Sequence, residues 1–582
     1  MLLEKIDFKK NKVLKISTII IYVIAILIFE IGICNGMNLK NFIYQGVIKY
    51  NFSLCRIVSY IIFLIAMIKN IDKFIPEALE TIKLPIKKYI SIIYVGAMFF
   101  IDLYVFIKWT SIYKELTLLI MQLMGLLFII YISSNYIKNV IVIVSTIGMV
   151  FTFATDFHHT LDEKKHMMSV INISSGNLQY AKNPLCEPTY NNIIFNCDID
   201  SFVQFFERKY EPDLTNDWNR TEETEVYYIC SSPADYNFVL YLPATIGVVF
   251  AKVFAGSIAD IYIMGRLFNL IAYAVMVIVM LKLLPYKKKI FYIITMLPFQ
   301  LLLAASFSVD GICCGILGIF IAYCLRLSEM DYEKIKLKQI LTLMILYAMC
   351  LLAKNLAYCA IIIFVLVLPI KKVIKNNKKS LPIISTILII AMLVCATLMV
   401  NKLFTAAADG GDIRGGETSL VGQAKFLLES PLNIVKVGFE HIMNALLNYN
   451  WYTDLNHATF FGKYSTQIFF MELIFIIYIS CTDEYVEIKK RTQIVSIITF
   501  LGVFASTSLM LYLTFTPVGQ INISGYQPRY MISLFPIILM LINNKKNIID
   551  KEQLKEKTSE VNVCLTQGMF IIIDLIFLIS IV

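Results

Sequence analysis

Runs of about 17–25 apolar residues recur along the whole chain, each long enough to cross the hydrocarbon core of a bilayer as a helix. In lipid the backbone has no water to bond to, so each crossing segment must satisfy its own N–H and C=O groups. With 58% hydrophobic and only 16% charged residues, the chain has too little polar surface to clothe a soluble protein of this length. These features predict an all-α polytopic membrane protein with large extracytoplasmic loops. A net charge of +10 in a soluble chain would point to nucleic acid. Here the lysines cluster between the apolar runs and read as orientation signals, so no nucleic-acid partner is expected.

The first apolar run, Ile16–Ile33, has a basic flank but no small-x-small cleavage site after it, and reads as a retained helix. Thirteen cysteines are mostly scattered within apolar segments, where they act as small hydrophobes. Cys186, Cys197 and Cys230 lie in one long polar loop. A Cys186–Cys197 bridge is compatible with an exterior loop, and their spacing matches no zinc motif.

Placing the Lys-rich stretches inside fixes the remaining loops by alternation. Spans are expected near 16–34, 53–68, 89–107, 116–134, 139–155, 262–284, 289–305, 312–326, 338–352, 357–370, 381–400, 467–481, 493–515, 529–543 and 565–582, about fifteen in all. Segment 238–255 is apolar, yet a crossing there would put Lys287–Lys289 outside. It is therefore expected to lie along the outer surface as a juxtamembrane helix. The loop 156–237 holds fourteen Asp/Glu against six Lys/Arg, which fits an exterior position, and 402–466 forms a second outer loop with a Gly-rich stretch at 410–416.

All five histidines (His158, His159, His166, His441 and His457) fall in predicted outer loops, which makes the outer face the expected working face. Asp162-Glu163-x-x-His166 follows an apolar helix and puts two carboxylates and an imidazole within a helical turn. Such a group suits general-base work, one acid taking a proton while its neighbour or the imidazole tunes or orients it. An ordinary solvated loop would read the same way. Asp310, in Ser308-Val309-Asp310-Gly311, is either a helix cap or a second acid for a metal or acceptor. A divalent cation, if one is used, would fall to Asp162 and Asp310. Arg266, Lys354 and Arg529 are cations at the outer ends of spans, suited to a lipid phosphate.

These motifs taken in order resemble a known family. They are the Asp-Glu-x-x-His loop, Tyr241-Leu242-Pro243, Gly265-Arg266-Leu267, Leu297-Pro298, Ser308-x-Asp310, Lys354 and Gln527-x-Arg529-Tyr530. The chain resembles the bacterial membrane family called domain of unknown function 2142 over roughly 138–545, and that family in turn resembles GT-C glycosyltransferases. The resemblance implies a GT-C-like core at 138–545, with N-terminal accessory helices at 1–137, outer loops at 156–261 and 402–466, and a last cytoplasmic segment and helix at 546–582. It also implies an inverting transfer from a polyprenyl-phosphate sugar donor to a cell-envelope glycan or lipid acceptor. Asp162 or Glu163 would be the base, with His166 beside them. Arg266, Asp310, Lys354, Gln527, Arg529 and Tyr530 would bind substrate. A polymerase or ligase of lipid-linked glycans shares these features. A transporter would instead place ionisable groups deep in the spans, and a non-catalytic scaffold would need no phosphate site.

Overall fold

The computed structural model describes residues 2–34, 54–82, parts of 92–103, 112–133, 135–155, 160, 163–174, 176, 236–254, 258–354, 357–369, 418–447, parts of 473–483, and 485–542. In chain order the helices are α1 (Leu2–Cys34), α2 (Leu54–Ile82), α3 (Ile112–Tyr131), α4 (Tyr136–Ile143) and α5 (Met149–Ala154), the last two joined by a π turn, Val144–Gly148. Then come α6 (Glu163–Ser174), α7 (Leu242–Val253), α8 (Ile258–Leu283), α9 (Lys288–Thr295), α10 (Pro298–Ala304), α11 (Asp310–Glu329) and α12 (Leu337–Leu352). Last are α13 (Leu420–Glu429), α14 (Pro431–Leu447), α15 (Lys490–Phe515) and α16 (Phe535–Leu539). Among the described residues there is no β-strand. Among the described residues, five helical stretches are long and apolar enough to cross a membrane: Val13–Glu30, Tyr136–Phe153, Asp260–Leu283, Asp310–Glu329 and Lys490–Phe515.

The described residues divide into two compact units, with divisions inside α8, at the end of α9 and inside α11. The first unit holds the described residues of 1–278 and 296–312. Within it the Phe153 ring meets those of Phe29, Tyr60 and Phe63 at 5.4, 4.7 and 6.2 Å. Polar groups among these helices are satisfied across the bundle. Tyr22 donates to the Ser145 carbonyl at 2.6 Å, and the Thr18 and Tyr131 hydroxyls share a bond of 2.8 Å. In an apolar surround such pairings avoid the penalty of an unmade bond. The opposite face of α1 shows Val13, Ile20 and Leu27, more than half exposed, as a lipid-facing helix would.

The second unit holds 279–295 and 313–548. Here α15 packs along the 3-10 segment Cys359–Val367, and Ser506 donates to the Ala357 carbonyl at 2.6 Å. The Lys287 ammonium is buried, 3.5 Å from Asp483, in a turn where Lys287 takes the left-handed φ of 56°.

Three expected spans take a different form. The single helix expected at 289–305 is two short ones, α9 and α10, broken at Met296–Leu297 where Leu297 is extended (ψ 142°). Pro298 explains the break: it lacks an N–H and disfavours helical geometry in the residue before it. The segment expected at 357–370 is a 3-10 helix rather than an α-helix. The one expected at 529–543 runs as a 3-10 turn (Pro528–Leu534) into the short α16, with proline at the start of each. Within the expected outer loop 402–466, residues 420–447 form α13 and α14. The expected surface helix 238–255 is a 3-10 turn, Phe238–Tyr241, running into α7. One face, with Ala244, Val248 and Ala251, is buried, and the other, with Ile246 and Val253, is exposed.

Candidate functional site

In the first unit, α6 begins at Glu163, which places an acid in the first turn of a helix where the backbone dipole favours it. Its carboxylate faces Arg266, on α8, in a paired fork. Nε donates to Oε1 and Nη2 to Oε2, each at 2.9 Å. Both residues are essentially inaccessible to solvent, at 1% and 0% exposure. Arg266 Nη1 donates to the Thr155 carbonyl at 2.8 Å, and the Phe307 N–H adds a bond to Glu163 Oε1 at 3.3 Å. The guanidinium also lies 5.7 Å from the Tyr262 ring centre. Two parallel charge-assisted bonds make this the strong form of the arginine–carboxylate pair.

The glycine in Gly265-Arg266-Leu267 has a packing reason. A Cβ at Gly265 would lie 2.4 Å from the Phe307 ring, so the glycine lets the Phe307 segment approach near enough for its N–H to reach Glu163. One turn along α6, His166 Nδ1 is 2.9 Å from the Tyr241 hydroxyl, and its ring stacks on Tyr236 at 5.7 Å. Asp310 opens α11. Its N–H donates to Ser308 Oγ, whose own N–H donates to Ser306 Oγ.

In the second unit, Lys354 follows α12 in the left-handed region, φ 48°. For a side chain with a Cβ this costs roughly 1–2 kcal/mol. Its ammonium sits 3.8 Å above the centre of the Tyr530 ring, and the Arg529 guanidinium lies 5.9 Å from the same centre. Arg529 is buried. The Tyr530 carbonyl accepts from the Tyr358 hydroxyl at 3.0 Å. Gln527 Oε1 is buried without a hydrogen-bond partner. Tyr526 meets the rings of Tyr530, Phe504 and His441 at 6.0, 5.7 and 4.8 Å. His441 Nε2 is 2.8 Å from Ser508 Oγ, and burial holds its pKa down to about 4. Burial likewise pushes the Tyr526 phenol above its usual range.

The expected site residues thus fall into two groups, one per unit. Glu163 and Arg266 are paired directly, with His166 and Asp310 in the same unit. Lys354, Arg529 and Tyr530 come together in the other, next to Gln527. Asp162, His158, His159, His457, Cys186, Cys197, Cys230 and the 410–416 stretch lie outside the described residues. Among the described residues no three His, Cys, Asp or Glu side chains are placed to hold a metal ion. Sequence reasoning missed the Phe307 N–H, the Thr155 carbonyl, Tyr262 and Tyr236 in one group, and Tyr358 in the other.

An all-α fold with repeated apolar helices defines the chain as a multi-pass membrane protein. The family model described as "Predicted membrane protein (DUF2142)" matches residues 144–541, well over half the length, and the chain belongs to that family. No curated protein and no solved structure matches the chain.

Proposed function

We propose that the chain is a membrane glycosyltransferase that moves a sugar from a polyprenyl-phosphate donor to a cell-envelope glycan or lipid acceptor on the extracytoplasmic face. The observation that carries this reading is the convergence of Lys354 and Arg529 on Tyr530. Two like charges gathered on one ring, one of them on a strained backbone, suit an anion such as a lipid phosphate. Strain of this kind persists where surrounding structure over-determines it, as at ligand clamps. Gln527 Oε1 adds an acceptor for a donor hydroxyl.

Of the two acids, Asp162 is assigned as the base on the acceptor hydroxyl. Glu163 has its oxygens taken up by Arg266 and the Phe307 N–H, so it holds α6 in place instead. His166, bonded to Tyr241, orients the acceptor. The departing phosphate needs charge stabilisation rather than a proton, which Lys354 and Arg529 supply as fixed cations. In a transporter, ionisable residues would line the middle of the spans. The buried charges Glu30, Arg56 and Asp260 instead lie within the first or last two turns of their helices, and Arg266 lies in the third turn of α8, short of its middle.

The test is binding of undecaprenyl phosphate to the full chain in nanodiscs, followed by transfer from its sugar conjugates. Lys354→Met and Arg529→Gln are each expected to weaken binding about tenfold to a hundredfold, the worth of a hydrogen bond to a charged group. Asp162→Asn is expected to slow transfer by about 10²–10⁴ with binding intact. Equal binding by both cation variants would overturn the phosphate assignment, and polymer extension in place of single-sugar transfer would make the chain a polymerase.

A further inference from the structure

Arg266 is not the only buried charge near the start of α8. Asp260 lies six residues before it, about 9 Å along the helix, and is 1% exposed. Its partner is Arg56, whose Nη1 donates to Asp260 Oδ1 at 3.0 Å. Arg56 Nε donates to both oxygens of Glu30, at 3.0 and 3.3 Å, and the Tyr60 hydroxyl donates to the same carboxylate at 2.6 Å. One turn along α2, Ser59 Oγ reaches Met264 Sδ at 3.0 Å. Gly247 of α7 also lies against the α8 backbone: a Cβ there would be 2.2 Å from the Met264 carbonyl oxygen.

The residues that grip α8 from this side belong to α1 and α2, which precede the family match, whereas Asp260 and Arg266 lie inside it. A buried carboxylate in the family region is therefore paired with an arginine from outside that region. We infer that Arg56 is a positioning residue for the Glu163–Arg266 clamp, and that α1 and α2 are an integral support of the site rather than an appendage. Arg56 fixes the depth and rotation of α8 through Asp260. A helix less than two turns long transmits that placement to Arg266, and the paired fork transmits it to α6. The inference rests on the proposed role of α6 for its functional meaning, but not for its test.

The test is amide hydrogen exchange of the full chain in detergent micelles, followed by mass spectrometry of peptides. In Arg56→Gln, the peptide covering 163–174 is expected to exchange about tenfold faster or more, although Arg56 lies on a different helix. Arg56→Lys, which keeps the charge, is expected to restore most of the protection. Glu163→Gln sets the full effect of losing the clamp. Faster exchange confined to the peptides around 30, 56 and 260, with 163–174 at the wild-type rate, would overturn the inference and leave Arg56 a local anchor. If Arg56→Gln does not accumulate, Asp260→Asn and Ser59→Ala are read the same way, the second with a smaller effect. Loss of the glycosyltransferase reading would leave these exchange rates unchanged, so the two ideas fail separately.

Discussion

Replacing Glu163 by Gln tests the clamp with almost no change of shape. Glu163 accepts three hydrogen bonds, two from Arg266 and one from the Phe307 N–H. Bonds to charged groups are worth about 1.5–3 kcal/mol each, but Gln keeps an acceptor oxygen and loses only part of that sum. The larger effect is the Arg266 guanidinium, left at 0% exposure without its opposite charge. Breaking a buried pair in this way costs about 3–5 kcal/mol. Replacing both members by apolar residues of similar size, Glu163→Leu with Arg266→Met, removes the orphaned charge, and most of the lost stability is expected to return. The assay is a denaturant titration in micelles followed with a thiol-reactive dye, since Cys324 and Cys350 are buried thiols that unfolding exposes. A loss below about 1 kcal/mol in Glu163→Gln, within the range of an exposed pair, would refute the reasoning. So would a double variant no more stable than the single one.

Gly265→Ala is expected to destabilise by about 1–3 kcal/mol through overpacking against Phe307, and Phe307→Leu in the same chain should recover much of it in the same titration. Gly247→Ala meets backbone at Met264 instead of a side chain, so no partner substitution should rescue it, and its accumulation in membranes should fall further than that of Gly265→Ala. The His441 pKa is lowered on folding from its ordinary 6.5 to about 4, so below 6.5 the unfolded chain binds a proton that the folded chain refuses. Stability should thus be complete above pH 6.5 and fall as pH drops from 6.5 towards 4. Melting curves at pH 7.5 and 5 check this, and His441→Phe should flatten the difference.

Much of the helical layout is readable in the sequence because apolar runs and their lysine flanks are local signals. The span expected at 338–352 is α12, and that expected at 262–284 is most of α8. The 289–305 segment misleads because hydropathy counts side chains and is blind to the missing N–H of Pro298. Residue types at the site were also readable: Arg266, Lys354 and Arg529 stand out as cations at the edges of apolar segments. Their partners were not. Glu163 and Arg266 are 103 positions apart, and the Phe307 N–H and Thr155 carbonyl are backbone groups with no identity in the sequence. Glu30 and Arg56 are charges near the ends of apolar segments, a place where nothing local marks them as partners. Only the fold shows that they meet Asp260.

Helix α15 has 26 residues, so it measures about 39 Å from end to end at 1.5 Å per residue, against a hydrocarbon thickness of about 30 Å. Its outward isoleucines and leucines, Ile494, Ile497, Leu501 and Leu509 among them, would meet acyl chains over most of that length. A helix this long accommodates by tilting or by thickening the lipid around it, and either response carries a modest elastic cost per ångström. Acyl-chain length therefore becomes a control variable for this protein: short-chain and long-chain vesicles should not give the same behaviour.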